Sequence, residues 1–165
     1  MNRVETLALL DACGFVYEVT EHPAVYTMLE AAQYPMPYPE ADAKNLFLKD
    51  DRAHFYMLTV QGDRHVDLKR FRKAQGLRNL RFASEDDMAQ VLQLHPGAVT
   101  PLGLLNDAEH CVILYLDDAL GDTIGVHPND NTATVWMRTE DLITMLQAHG
   151  TRVIRVPIPE TERKE

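Results

Sequence analysis

The chain is poor in the residues on which several familiar chemistries depend. Of its 165 residues two are cysteines, Cys13 and Cys111, and one is a serine, Ser84. The two cysteines lack C-x-x-C spacing and no H-E-x-x-H occurs, so zinc has no recognisable ligand set. Each cysteine sits in an apolar run, and buried free thiols are expected rather than a disulfide, with a reducing, cytoplasmic compartment to match. Ser84 stands at a helix start with no G-x-S-x-G around it, so a serine triad is excluded and a capping role expected. Asp117, Asp118 and Asp122 lie close together without a calcium-loop pattern, and neither a metal nor a cofactor is expected. No apolar run approaches membrane-spanning length, and Glu5 and Asp11 interrupt the N-terminal apolar stretch as no secretory leader allows. Cations are also scarce: 16 Lys and Arg against 25 Asp and Glu leave a formal charge of -9, too acidic for a general DNA binder. Neither DNA nor a membrane is an expected partner.

What is present is enough apolar material, 45% of the chain, for one sizeable core, and a single domain over residues 1–165 is expected. Apolar spacing predicts a helix over Val4–Cys13, stopped by Gly14, then a strand over Phe15–Thr20 broken at His22-Pro23. Thr27 and Glu30 form a capping pattern for a short helix to Ala32, and three prolines within Tyr34–Pro39 demand an extended loop. Strands follow at Asn45–Lys49 and Phe55–Val60 around the turn Asp50-Asp51-Arg52. Helices are expected over Asp67–Gln75 and Ser84–Leu94, and a loop over Gly97–Gly103. Cys111–Leu116 is a continuous apolar run suited to a strand covered on both faces. A second hairpin pairs Thr123–Val126 with Thr132–Met137 across His127–Asn131. A helix over Thr139–His149 and a strand over Arg152–Val156 close the chain. Hairpins mixed with helices indicate an α+β fold with a mixed, largely antiparallel sheet and flanking helices.

Three segments carry unusual chemistry. In Lys44-Asn45-Leu46-Phe47-Leu48-Lys49-Asp50, strand alternation puts Asn45, Phe47 and Lys49 on one face and Lys44, Leu46 and Leu48 on the other. One ammonium therefore points where apolar side chains point, either snorkelling or awaiting an anionic or carbonyl ligand. In Gly97-Ala98-Val99-Thr100-Pro101, Gly97 lets backbone approach a ligand and Pro101 stiffens the far end, although an ordinary turn has the same composition. In Gly125-Val126-His127-Pro128-Asn129, the proline holds His127 extended, and its imidazole is suited either to base catalysis or to shaping a pocket. Between Lys69 and Arg81 the chain adds Lys69, Arg70, Arg72, Lys73, Arg78 and Arg81 with no acid among them, a run fit for RNA phosphates or simply for solvent.

In their order and spacing these three motifs resemble the YbaK/ProX family of aminoacyl-tRNA editing domains, related to the insertion domain of bacterial prolyl-tRNA synthetases. The likeness is nearest to free-standing prolyl-tRNA deacylases that remove alanine from proline tRNA. The resemblance implies an esterase acting on aminoacylated tRNA, with Lys44, Gly97 and His127 at the reacting end. It implies Asn45, Phe47, Lys49, Val99, Pro101 and Asn129 around the substrate, and prolyl-tRNA synthetase as an associated partner. Lys44 would contact the terminal nucleotide's phosphate or the ester region. The vicinal ribose hydroxyl can orient water, so no protein nucleophile is required. Two other readings stay open: a noncatalytic tRNA- or synthetase-binding module, and a deacylase for cysteine or another small residue.

Overall fold

A computed structural model describes residues 1–23 and 36–161. The helix expected over Thr27–Ala32 lies outside the described residues, as do Tyr34 and Pro35. Helix α1, Arg3–Ala12, starts in a capping box in which Asn2 and Glu5 exchange side-chain and backbone bonds. It buries Thr6 and Leu10 and ends at Cys13, before Gly14 at φ +74°. The next strand, β1, is Tyr17–Glu21 and starts later than expected, because the Phe15 N–H still donates to Leu10 at the helix end.

Two sheets organise the molecule. The larger has strand order β4-β2-β3-β5-β8, with β2 Ala43–Asp50, β3 Phe55–Gln61, β4 Leu80–Phe82, β5 Val112–Asp117 and β8 Arg152–Val156. Here β2 runs antiparallel to β3 and β4, whereas β5 runs parallel to both β3 and β8. The smaller is antiparallel, β1-β7-β6, with β6 Thr123–Val126 and β7 Ala133–Arg138. An isolated bridge between Asp42 and Gly125 joins them at the start of β2. Helices α2, Leu68–Gln75, and α3, Thr139–His149, complete the α+β architecture. No helix among the described residues is long and apolar enough to cross a membrane.

Strand alternation feeds two separate cores from the same strands. Phe47, Met57, Leu102, Leu114 and Val126 belong to the larger core, which lies between the sheets' facing residues; Leu48, Leu58, Phe71, Tyr115 and Ile158 belong to the smaller. Leu46 packs against the smaller core and Ala43 against the larger, as adjacent Leu48 and Phe47 do, so neighbouring residues of β2 serve opposite sides. Each such side chain contributes about 1.5–3 kcal/mol when buried. The run before Leu116 is covered on both faces because β5 is central: Leu114 and Leu116 enter one core and Tyr115 the other.

Several expectations are corrected. Ser84 and Asp87 do form a capping box, but the α-helix is only Glu85–Asp87 and continues as a wider π-helix, Met88–Leu92, ended by Gln93 at φ +55°. Leu92 ends that turn inside the larger core, and the left-handed Gln93 returns Leu94 to the same core. The loop expected through Gly103 becomes a 3-10 helix, Pro101–Asn106, capped by the Thr100 hydroxyl. The thiols are free, as expected, yet both cysteines are exposed rather than buried: Cys13 caps a helix and Cys111 precedes β5. The turn after β2 is built on Asp50, which is buried and accepts from the Arg52 and His54 backbone N–H groups and the His54 ring. Burial alone would raise its pKa, but these donors hold the carboxylate below its usual value.

Candidate active site

The inner face of β2 meets the loop after Gly97 and the turn after β6. Asn45 fixes the first junction: its Nδ2 donates to the Val99 carbonyl at 3.3 Å, while its Oδ1 accepts from the Thr59 hydroxyl at 2.7 Å. Both ends of the amide are therefore committed, and its orientation is set by partners on two other elements. Gly97, at φ +86°, makes the left-handed turn that brings this loop back over the sheet, and Pro101 opens the 3-10 helix behind it. Between them the Thr100 hydroxyl donates to the His127 carbonyl at 2.6 Å, which fixes the second junction.

His127 is held by its ring as well. Nδ1–H donates to the Ala133 carbonyl at 2.9 Å, so the tautomer leaves the Nε2 lone pair unprotonated and able to accept. Burial lowers the pKa of this imidazole, the Ala133 carbonyl opposes that shift, and nearby His22 adds to it. The ring is neutral near pH 7. Its neighbour is His22, with ring centroids 6.0 Å apart in an edge-on arrangement. Buried His22 donates from Nδ1 to the Pro23 carbonyl and accepts at Nε2 from the Thr134 hydroxyl, both at 2.9 Å. Two of the chain's three His-Pro dipeptides, His22-Pro23 and His127-Pro128, thus flank β7 from either side, one after β1 and one after β6.

Gly125 explains why the turn sits so close to β2. A Cβ added there would lie 2.3 Å from Trp136 Cζ3, so only glycine lets the indole cover the strand while Asp42 bridges to it. Asp42 is pushed up to about 6 by burial, with His22 and the Ala43 backbone N–H acting the other way.

Lys44 leaves by the opposite face. Its Nζ donates to the Arg64 carbonyl at 3.2 Å, and no carboxylate pairs with it among the described residues. Arg64 is itself anchored by Nη1 to buried Asp117 at 2.8 Å, which gives that aspartate a structural partner; Asp117 also accepts from the Ala119 N–H. Lys44 lines a groove of about 420 Å³ with Leu46, His65, Val66, Phe82 and others. Phe82 is an unusually exposed aromatic, at 62%.

Other residues singled out in the sequence have different places. Phe47 is in the larger core, stacked on Phe55 at 5.4 Å. Lys49 shares the inner face with Asn45 but bonds both oxygens of Asp87 at 3.3 Å and lies 5.5 Å from the Phe55 ring centroid. It is therefore not a solvated turn charge. Asn129, at φ +61°, donates to the Met1 carbonyl and the Thr6 hydroxyl, pinning the N-terminus to the turn. In the basic run, Lys69, Arg70 and Lys73 are exposed on α2, whereas Arg72 donates to the Leu77 carbonyl and Arg81 lies on β4 opposite Lys49. Arg78 is an ion-pair partner of Asp51, so the acid-free stretch of sequence is not acid-free in space. Among the described residues no group of three His, Cys, Asp or Glu could hold a metal ion.

Sequence reasoning missed Asp42, His22, Thr59, Thr100 and Thr134. The one signal available for His22 was the repeated His-Pro dipeptide, which read first as a strand breaker.

Against this geometry the comparisons are informative. Residues 22–145 match the family model of the aminoacyl-tRNA editing domain. The prolyl-tRNA editing protein ProX of Acetoanaerobium sticklandii is 37% identical over 147 residues, covering 87% of this chain and 90% of that one. The prolyl-tRNA synthetase associated domain-containing protein 1 of Mus musculus is 35% identical over 155 residues, covering 90% and 91%. A solved structure of a candidate trans-editing enzyme for prolyl-tRNA synthetase shares the fold at TM-score 0.71 and 24% identity, over 96% of both chains. The chain belongs to the aminoacyl-tRNA editing domain family. It is thereby an aminoacyl-tRNA deacylase, a hydrolase whose substrate is aminoacylated tRNA.

Proposed function

We propose that the protein hydrolyses the ester of alanine mischarged onto proline tRNA, acting in trans after a prolyl-tRNA synthetase has released it. The observation that carries this reading is the pair of hydrogen bonds, Asn45 to Val99 and Thr100 to His127, by which three motifs far apart in sequence form one wall. The name of the Acetoanaerobium sticklandii relative, a prolyl-tRNA editing protein, supports the choice of tRNA.

The wall suits an ester. Water adds to the carbonyl carbon, the oxyanion collapses, and the C–O bond to the ribose breaks as that oxygen takes up a proton. Neutral His127 presents an Nε2 lone pair that can accept a hydrogen bond from the attacking water or from a ribose hydroxyl. The Ala98 N–H is taken by the His95 carbonyl, so on this reading the Gly97 and Val99 N–H groups meet the carbonyl oxygen, where charge develops. Positioning supplies most of the acceleration, because an aminoacyl ester is already labile.

Selectivity rests on size. An apolar synthetase pocket distinguishes missing methylenes by only about 1–3 kcal/mol, so alanine passes a site built for proline. Phe47, Leu102 and Val126 are packed in the larger core with half-buried Val99 against them, and on this reading that rigid surround admits a methyl and rejects a pyrrolidine ring. On the outer face Lys44 meets the phosphate of the terminal nucleotide, and Lys69, Arg70 and Lys73 follow the acceptor stem. Lys49, Arg78 and Asn129 serve the scaffold through their own partners.

Proline tRNA charged with alanine, cysteine, serine or proline, incubated with the intact chain, tests this. Fast loss of alanine alone is expected. Preferential loss of cysteine or serine would reassign the substrate, and binding without loss of any amino acid would sink the deacylase reading.

A further inference from the structure

Phe82 is a large aromatic ring left in solvent, 62% exposed and a member of neither core. Its register explains its direction: Phe82 pairs with Leu48, so its side chain leaves the sheet on the face shared by Lys44, Leu46 and Leu48. There it bounds the groove of about 420 Å³, whose floor is Leu46, Val66 and Leu68 over the smaller core. Lys44 and His65 stand toward the other end. Charge separates the partners such a groove could take. The chain as a whole is acidic, at -9, yet Lys44 Nζ has only the Arg64 carbonyl, and α2 starts at groove-lining Leu68 and carries exposed Lys69, Arg70 and Lys73. The neighbouring acids are committed: Asp67 caps α2 through the Arg70 N–H, and Asp117 and Glu160 pair with Arg64. An open ring beside an apolar floor and a line of cations is the combination that single-stranded nucleic acid takes, with bases on the ring and phosphates on the cations.

The groove also has a way through to the inner wall. Strand β4 pairs only with Leu48, Lys49 and Asp50, and the Ala83 N–H closes on the Phe47 carbonyl at 3.0 Å. Beyond that bond, as far as the Asp42–Gly125 bridge, this edge of β2 has no strand partner among the described residues. Asn45, with its bond to Val99, lies within that open stretch. We propose that Phe82 is the stacking platform for an unpaired base of the single-stranded acceptor end of tRNA, which crosses the open edge of β2 to bring its ester to the inner wall. This rests on the deacylase reading above. Four residues of strand, about 13 Å, separate the level of Lys44 from that of Phe82, so cation and ring meet successive parts of one nucleic-acid strand. The ring lies away from the reacting carbonyl. What it gains from stacking is the same before and in the transition state, and it therefore acts on KM rather than on kcat.

The test uses uncharged proline tRNA in which each unpaired nucleotide of the acceptor end in turn is a fluorescent purine analogue whose emission falls when it stacks. At one position the intact chain is expected to quench it, Phe82→Tyr to keep the quench, and Phe82→Leu, apolar but without a ring face, to lose it. With alanyl-tRNA as substrate, Phe82→Leu is expected to raise KM about tenfold and leave kcat within about twofold. An abasic residue at the quenched position should cost the intact chain the same factor and Phe82→Leu nothing further, since the two changes remove one contact. An undiminished quench with Phe82→Leu, or losses that simply multiply, would overturn the assignment and leave the deacylase reading intact. A defect of Phe82→Leu that shows only with prolyl-tRNA synthetase present would overturn it too, giving the groove to a protein partner. No turnover of alanyl-tRNA by the intact chain would overturn the deacylase reading, and the quench with uncharged tRNA would still decide whether a base stacks on Phe82.

Discussion

The two faces of β2 carry neighbouring residues into opposite conditions. On the inner face Asn45 has both amide atoms bonded and Phe47 is packed among buried side chains. On the outer face Lys44 has one neutral carbonyl for a partner and looks into a groove edged by exposed Phe82. The inner face is closed and preorganised, as the proposed discrimination of a methyl from a ring requires. The outer face keeps a cation whose charge is uncompensated by any carboxylate among the described residues, as capture of a phosphate requires. In the proposed function one strand, by its period of two, separates recognition of the nucleotide end from recognition of the ester.

That division is broken most completely by Gly125→Val, which drives a side chain into Trp136 where the two sheets meet. A loss of ~3 kcal/mol or more is expected in urea unfolding, abolishing both faces together. Asn45→Ala acts on the inner face alone: the Val99 carbonyl and Thr59 hydroxyl lose their partner, costing ~1–3 kcal/mol, and kcat for deacylation falls. Lys44→Ala sharpens the contrast, because stability should stay within ~0.5 kcal/mol while kcat/KM falls about tenfold or more, mainly through KM. A thermal midpoint lowered as far as in Asn45→Ala would show that the outer face is structural too.

Smaller effects come from pH and salt. Asp42 titrates at about 6 when folded, above its unfolded value near 3.8, so its contribution is fully present below 3.8 and lost as pH rises through 6. Asp42→Asn should therefore raise stability at pH 7 by ~1–2 kcal/mol, with the gain vanishing in unfolding curves below pH 4. His127 has the opposite sign. Burial lowers its folded pKa below 6.5, so the native state is penalised only as pH falls from 6.5 through that lowered value, and His127→Gln should flatten this part of the curve. The smallest change is expected from Lys69→Glu, Arg70→Glu and Lys73→Glu together: a few-fold rise in KM at low salt and a shallower dependence of tRNA affinity on ionic strength.

Local patterns in the sequence explain much of what the structure shows. The Ser84–Asp87 box, the hairpin around His127 and the alternation of β2 each rest on residues within a few positions of one another. Other features depend on distant partners. Lys49 is paired with Asp87, 38 residues on, and Asn129 with Met1, 128 residues back, so neither was distinguishable in sequence from a free site residue. Asp42 has no motif of its own; burial at a bridge between sheets is what gives it chemical interest. The cysteines show the same limit, since an apolar neighbourhood in sequence did not bury them in space.

By itself, then, the amino-acid sequence determined the α+β class, the caps and turns, and the three motifs, because these follow from hydrophobic period, backbone preference and residue type over short spans. Only the tertiary structure decided that Asn45, Val99, Thr100 and His127 share one wall, that Lys44 faces away from it, and that Asp42 stands where the two sheets are bridged. Those facts depend on which strands pair and which side chains are withdrawn from water, and both are set by contacts between residues far apart along the chain.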